Sequence, residues 1–181
     1  MRRVEVKDIE KELLNLFSTK QEDIIWCIHE SPLVFKSKLA QLDEVWCKKH
    51  NIAICNSFNF GGTIVSDTDD INSAVMRKNG WTVGDSVLEF FKIKLSNIIP
   101  DLSINDNDLL YQGKYKMISY ASINVGEEFI YTCLHISFNP NIELIKNICT
   151  KPMNKIPMGL ASFGIKHQDI VDILQEWEQN N

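Results

Sequence analysis

The chain has 181 residues, 44% of them hydrophobic and 24% charged, which suits one folded domain with its own core and excludes a disordered chain. Its net charge of −5 argues against nucleic acid as the main partner, because phosphates would meet no broad basic surface. No stretch approaches the ~18 apolar residues of a membrane span, and acidic Asp8, Glu10 and Glu12 stand where a secretory signal would have its apolar core.

In chain order, Ile9, Leu13, Leu14 and Phe17 recur at helical spacing and predict an amphipathic helix over 8–18. The apolar run 24–29 predicts a buried strand, Pro32 a turn, and 33–35 a second strand. Leu42, Val45 and Trp46 mark a helix over 39–50, followed by a strand over 52–55. Beyond Gly61 and Gly62, residues 63–65 read as a strand, Thr68-Asp69-Asp70 as a turn and 71–76 as a returning strand, together a hairpin. The longest helix covers 83–99 and stops at Pro100. Residues 105–108 form a polar loop, 109–111 a strand and Gln112-Gly113 a turn, and strands over 116–123 and 128–138 complete an antiparallel meander. A short helix over 142–149, a loop rich in Lys, Pro and Met, and a closing helix over 167–177 follow. Strands and helices mix without regular βαβ alternation, so the fold class is α+β in one domain.

Two features point to a small-molecule pocket. Gly61 and Gly62, ahead of a strand, let a ligand approach the main chain, and Lys116 on a later strand can place positive charge on a carbonyl or phosphate. The plain alternatives are a flexible start to a strand, and solvated edge lysines at Lys114 and Lys116. His29 and His135 sit in apolar runs and read as core histidines, while His50 and His167 lie at helix ends and read as solvated. The five cysteines are odd in number and never form a Cys-x-x-Cys pair, which predicts a reducing, cytoplasmic compartment and no zinc site. Cys133 is a nucleophile if exposed beside His135, and a core residue if the two share a buried face. Asp67, Asp69 and Asp70 either gather a cation or lie solvated in a turn.

Taken in order, these motifs resemble the catalytic domain of the biotin/lipoate A/B protein ligase family over roughly residues 8–177. Phe60-Gly61-Gly62-Thr63-Ile64-Val65-Ser66-Asp67 is similar to that family's Gly-Gly-Gly-x-Val-x-His-Asp loop and strand. Asn107-Asp108-Leu109-Leu110 and the stretch 113–122 resemble its Asn-Asp-(Leu/Ile) and Gly-(Lys/Arg)-Lys-(Ile/Val)-Ser-Gly-Ser-Ala segments. The resemblance implies a mixed, largely antiparallel sheet flanked by helices, of the class II aminoacyl-tRNA synthetase and biotinyl-ligase kind, with no accessory domain. It also implies that lipoate, octanoate or biotin is activated with ATP and magnesium, or carried on a cysteine, and attached to a lysine of a lipoyl or biotinyl carrier domain. Lys116 then takes the catalytic role, stabilising oxyanion charge. Gly61, Gly62, Thr63, Asp67, Asn107, Asp108, Gly113 and Ser119 border the ligand, and no metal ligand is assigned.

Three departures bear on that picture. The family's Arg-Arg-x-x-Gly-Gly-Gly is replaced by Asn56-Ser57-Phe58-Asn59-Phe60-Gly61-Gly62, without the arginines that grip phosphate. Ser66 stands where the family has histidine. The lysine motif is one residue longer, so the catalytic position falls on Lys116 counting from Gly113 and on Met117 counting back from Ile118-Ser119. A slip of one residue turns a strand side chain to the opposite face. Two functions stay open: an acyl-adenylate-forming ligase or acyltransferase, and a non-catalytic relative serving as a binding or interaction module.

Overall fold

The structure is a computed structural model that describes residues 1–36, 42–55, 63–78, 83–151 and 153–181. Its first half comprises β1 (Arg2–Arg3), α1 (Ile9–Thr19), β2 (Asp23–Ile28), β3 (Leu33–Phe35), α2 (Glu44–Lys49), β4 (Ala53–Cys55), β5 (Ile64–Ser66) and β6 (Ile71–Lys78). The second half comprises α3 (Val83–Leu95), β7 (Leu102–Asn105), β8 (Asp108–Tyr111), β9 (Tyr115–Val125), β10 (Phe129–Ile136), α4 (Ile142–Ile148), β11 (Ile156–Pro157) and α5 (His167–Asn180). An eight-stranded sheet runs β1-β2-β6-β10-β9-β8-β7, with β11 against β9. Its pairings are antiparallel except β1 with β2 and β11 with β9. A three-stranded sheet runs β4-β3-β5.

Period-two alternation sends neighbouring residues of one strand into different cores. On β2, Ile24 joins the core under α3 and α5, whereas Ile25 and Cys27 join the core under α1 and the small sheet. The first core packs Val87, Leu88 and Phe91 of α3 and Ile170, Leu174 and Trp177 of α5 onto Ile71, Val75, Leu134 and Ile136. Trp177 Nε1 donates to Ser86 Oγ at 3.0 Å, tying the two helices together. The second core packs Ile9, Leu13 and Leu16 of α1 with Leu33 and Phe35 onto Ala74, Met76 and Tyr131. A third, smaller core places Val34 and Val65 of the small sheet against Cys47 of α2 and Ile145 and Ile148 of α4. Asp43 caps α2 by accepting the Trp46 N–H at 2.8 Å, and Asn141 caps α4 by accepting the Leu144 N–H at 3.0 Å.

The α+β class and the antiparallel meander β8-β9-β10 stand as the sequence predicts. The hairpin over 63–76 does not: β5 pairs with β3 in the small sheet and β6 with β2 and β10 in the large one. The intervening turn crosses between layers because Asp67 and Asp70 fasten it to the segment after β10. Asp67 accepts the N–H groups of Thr68 and Asn141, each at 2.7 Å, and Asp70 those of Phe138 at 2.7 Å and Asp67 at 2.9 Å. These two carboxylates are buried and hold main chain, rather than lying solvated. The polar loop 105–108 is the tight turn of the β7-β8 hairpin, and β7 has no counterpart in the sequence reading. The α2 helix starts at Glu44, α3 ends at Leu95, and His167 is packed rather than solvated, stacked on Phe138 at 3.7 Å between ring centroids.

Candidate functional site

Where the meander meets the small sheet, a cavity of about 420 Å³ opens. Thr63, Ile64 and Val65 of the small-sheet side, Lys116 and His135 of the large sheet, Asp106 and Asp108 of the β7-β8 hairpin, and Cys149 after α4 all line it. Met153, Asn154, Lys155 and Pro157 close its remaining side. Lys116 therefore shares one cavity with the segment that directly follows Gly61 and Gly62. Those two glycines, like 56–60, lie outside the described residues.

A bulge resolves whether Lys116 or Met117 faces this space. On β8 and β9, Asp108 pairs Ser119 and Leu109 pairs Ile118, but Leu110 pairs Lys116, leaving Met117 as the extra residue. Met117 and Ile118 consequently enter the same core beneath α3 and α5, both fully buried. The additional residue is absorbed before the register can reverse, and Lys116 stays on the cavity face. Beyond the bulge, β11 lies beside β9 in place of β10: Pro157 pairs Lys116, and the Met158 N–H donates to the Lys116 carbonyl at 2.9 Å. The backbone carrying the ammonium is thus held on both sides.

Beneath the lysine lies a buried polar network. Asn72 Nδ2 donates to Ser66 Oγ at 2.5 Å and to His29 Nε2 at 2.6 Å, so its Oδ1, 3.3 Å from His135 Nδ1, accepts from that nitrogen. Ser137 Oγ then donates to His135 Nε2 at 3.3 Å. Burial first, and the Lys116 charge second, push the His135 pKa down to about 3, and burial pushes that of His29 down to about 4. Both imidazoles are neutral at pH 7, so the 3.7 Å approach of His135 to Asp70 is not an ion pair. Asp70 itself is raised to about 7 by burial, against the N–H groups it accepts. Lys116 also acts on Cys149: burial lifts that thiol above its ordinary value, and the ammonium pulls it back.

The remaining predicted residues divide. Thr63 and Asp108 line the cavity, and Asp108 Oδ2 accepts from Lys155 Nζ at 2.7 Å. Ser119 is buried on the ladder between its partners Asp108 and His135. Asp67 is occupied by main-chain donors, as described above, and Asn107 is exposed on the hairpin turn, its carbonyl accepting the Tyr120 N–H. Gly113, with φ 63°, follows Gln112, with φ 52°, in the β8-β9 turn, where a type I′ geometry needs that conformation. Neither Asn107 nor Gly113 reaches the cavity. Sequence reasoning missed Cys149 and Lys155, since a lone cysteine at a helix end and a lysine in an irregular loop carry no motif. Among the described residues no group of three or more His, Cys, Asp or Glu side chains is placed to hold a metal ion.

An apolar slot adjoins the cavity at their shared residue Ile64, running between α1, the small sheet and the β6-β10 ladder. Cys133 lines it, pushed up to about 12 by burial, which keeps this thiol protonated and unreactive. Among the described residues no helix is long and apolar enough to cross a membrane.

No protein-family model matches the sequence, and no curated protein matches it. Solved structures match the fold. The putative lipoate protein ligase Ta0514 of T. acidophilum with bound lipoic acid superposes with a TM-score of 0.78 at 12% identity, over 97% of this chain and 81% of that one. The bi-partite lipoate protein ligase of Thermoplasma acidophilum, from a structural study with its E2 lipoyl domain, gives 0.80 at 12% identity over 98% and 80%. Lipoate-protein ligase A bound with ATP gives 0.75 at 12% identity over 97% and 80%. At such identities the likeness concerns architecture: the chain has the fold of the lipoate-protein ligases, α+β with a mixed, mostly antiparallel sheet flanked by helices.

Proposed function

We propose that the protein binds a carboxylic acyl group in the larger cavity, with its carboxyl end at Lys116, and transfers it to a lysine of a carrier domain. The observation that carries this reading is Lys116 on the wall of a cavity of about 420 Å³ between the meander and the small sheet, which meets an apolar slot at Ile64. The solved neighbours support it: one holds lipoic acid, one is described with its E2 lipoyl domain, and one holds ATP. Lipoate, octanoate and biotin are the candidate acids.

In this reading Lys116 is the electrophilic helper. Its ammonium meets the negative charge that grows on the acyl oxygen as a nucleophile adds, and a preorganised donor of this kind is worth about 10²–10³ in rate. Thr63 and the preceding Gly61 and Gly62 would border the carboxyl end. Asp67 and Ser119 serve behind the site by fixing its backbone, and Asn107 and Gly113 by shaping the turns of the meander. Asp106 and Asp108 offer the one or two carboxylates with which nucleotide-bound magnesium is usually held. ATP, when bound, supplies the leaving group that turns a carboxylate into an acylating agent. The five thiols fit the reducing, cytoplasmic setting expected from the sequence.

Cys149 favours a second route to the same product. Its side chain lines the cavity, and the Lys116 charge opposes the burial that raises its pKa, so once its proton passes to the departing donor thiolate it can attack a thioester-bound acyl group and hold the acyl as an enzyme thioester. The carrier amine then displaces the Cys149 sulfur and forms the amide. Incubation with a lipoyl-domain acceptor and either ATP, magnesium and free acid or an acyl-thioester donor, read by intact mass, separates the routes. Acylated acceptor is expected from wild type, with at least a hundredfold loss in Lys116→Ala; loss in Cys149→Ser with the thioester donor alone selects the second route. No acylation from either donor leaves a binding or interaction module.

A further inference from the structure

We infer that the outer face of α2 and α4, beside the cavity, is the docking surface for the acceptor, a small carrier domain with carboxylates around its acceptor lysine. This rests on the acyl-transfer reading above and names the partner surface within it. Charge is spread unevenly over a chain whose net value is −5. On α5, Asp169, Asp172, Glu176 and Glu178 stand without a single Lys or Arg. In the layer of the third core the sign reverses: α2 ends in Lys48, Lys49 and His50, and Lys146 and Lys151 lie on and just after α4. Lys36, Lys146 and Lys155 are paired with Glu44, Glu143 and Asp108. Lys48, Lys49 and Lys151 are exposed and, among the described residues, have no ion-pair partner.

The fold sets this basic face at the cavity. Cys47 of α2 and Ile145 and Ile148 of α4 turn inward onto Val34 and Val65 of the small sheet. The Asp43 N–H donates to the Ile148 carbonyl at 2.8 Å and Leu42 bridges Cys149, so the start of α2 is fastened to the end of α4. From that end of α4, Ile145 and Cys149 line the cavity that Lys116 occupies. A partner seated on the two helices therefore stands beside the space its lysine must enter. The β7-β8 hairpin on the other side carries Asp106, exposed and lining the same cavity. The two sides are opposite in sign: the lysines face the carboxylates of the carrier, and Asp106 faces the ammonium of its acceptor lysine. The acidic surface of α5 repels the same partner and steers it to this face.

The face also has an apolar centre. Val45 is 81% exposed and lies one helical turn before Lys48 and Lys49, on the same side of α2. Beside it Trp46 is half-buried, its ring stacked on His50 at 3.9 Å between centroids. An apolar anchor within a charged rim is the make-up of a protein interface. With six residues in α2 and seven in α4, the surface falls short of the roughly 1,600 Å² of a lasting complex, which suits a carrier that leaves after each transfer.

The test is steady-state acylation, by the full chain, of a lipoyl domain with carboxylates flanking its acceptor lysine, with KM for the domain and kcat read separately. Between about 50 and 500 mM sodium chloride, wild-type kcat/KM should fall roughly tenfold, as screening removes the steering. Lys48→Glu/Lys49→Glu should raise KM about tenfold, flatten the salt dependence and leave kcat and octanoate affinity unchanged. Lys48→Gln/Lys49→Gln, which sets no anion at the C-terminus of α2, should fall between the two. Changing the flanking carboxylates of the acceptor to lysine should restore a low KM with Lys48→Glu/Lys49→Glu. Turnover insensitive to salt, with KM unchanged in both variants, would overturn the docking face while leaving acyl transfer in place. Self-association that Lys48→Glu/Lys49→Glu abolishes would assign the face to the acidic α5 of a second copy and overturn the carrier assignment. No transfer by wild type from either acyl donor would overturn the acyl-transfer reading and the docking face together.

Discussion

The two faces of the large sheet are built on opposite plans. Under α3 and α5 the sheet is sealed by aliphatic and aromatic side chains, twenty of them among the described residues buried in one core. Under α1 and the small sheet it carries His29, Asn72, His135 and Ser119 and leaves both the slot and the cavity open. Close packing stabilises, whereas binding requires a void and polar groups whose own partners hold them in place. The division lets one face carry stability while the other is shaped for a ligand.

The sharpest way to break this comparison lies in two adjacent residues. Because the bulge sends Met117 to the sealed face and Lys116 to the open one, exchanging chemistry at the two positions should give unequal costs. Met117→Lys would bury an unpaired ammonium among Leu109, Ile118 and Leu134 and should destabilise by ~3–5 kcal/mol in urea titration. Lys116→Met, on the cavity wall, should change stability by less than ~1 kcal/mol while removing acyl transfer. Equal losses from both would refute the facing assigned here.

The same pair shows how far the sequence could be read. Alternating apolar residues made β9 and β10 legible, as did the apolar period of α3 and the turn at Gln112-Gly113, because each signal is local. The bulge was not, since an additional residue in a motif says nothing about whether the strand slips or buckles. Nor was the separation of β5 from β6: what divides them is the grip of Asp67 and Asp70 on the N–H groups of Asn141 and Phe138, some seventy residues away in sequence. Lys116 was legible as a site candidate from its motif, while Cys149 and Lys155 became visible only once the topology placed them at the same cavity.

A second contrast between the faces is their response to acid. His29 and His135 have folded pKa values lowered from 6.5 to about 4 and about 3, so their contribution is fully present above pH 6.5 and is lost as pH falls towards those values. Asp70 acts the other way: raised from 3.8 to about 7, it favours the fold below pH 3.8 and progressively less as pH rises to about 7. Between about pH 4 and 6 the unfolded chain thus binds a net one proton more, and stability should fall by ~1.4 kcal/mol for each unit of acidification. Asp70→Asn removes the opposing proton and should steepen the slope towards twice that figure. A slope in Asp70→Asn no steeper than in wild type, measured by denaturant titration from pH 6.5 to 4.5, would contradict the buried neutral histidines.

The smallest expected effect concerns the rim of the open face. Lys155 reaches Asp108 from the strap that carries β11, and both side chains keep partial contact with solvent, at 25% and 17% exposure. An ion pair so placed contributes ~1 kcal/mol or less, and salt weakens it further. Lys155→Met should therefore lower the melting temperature by only a few degrees at low salt, and by less in 0.5 M sodium chloride. Its consequence for ligand should be larger than for stability, because Asp108 would be released into the cavity and its negative charge would face the incoming carboxylate. Octanoate affinity should fall severalfold in Lys155→Met and recover in Lys155→Met/Asp108→Asn, where the repelling charge is gone. Recovery without any change in melting temperature would assign Lys155 to charge balance at the mouth of the site; failure to recover would make the lysine itself a contact for the acid.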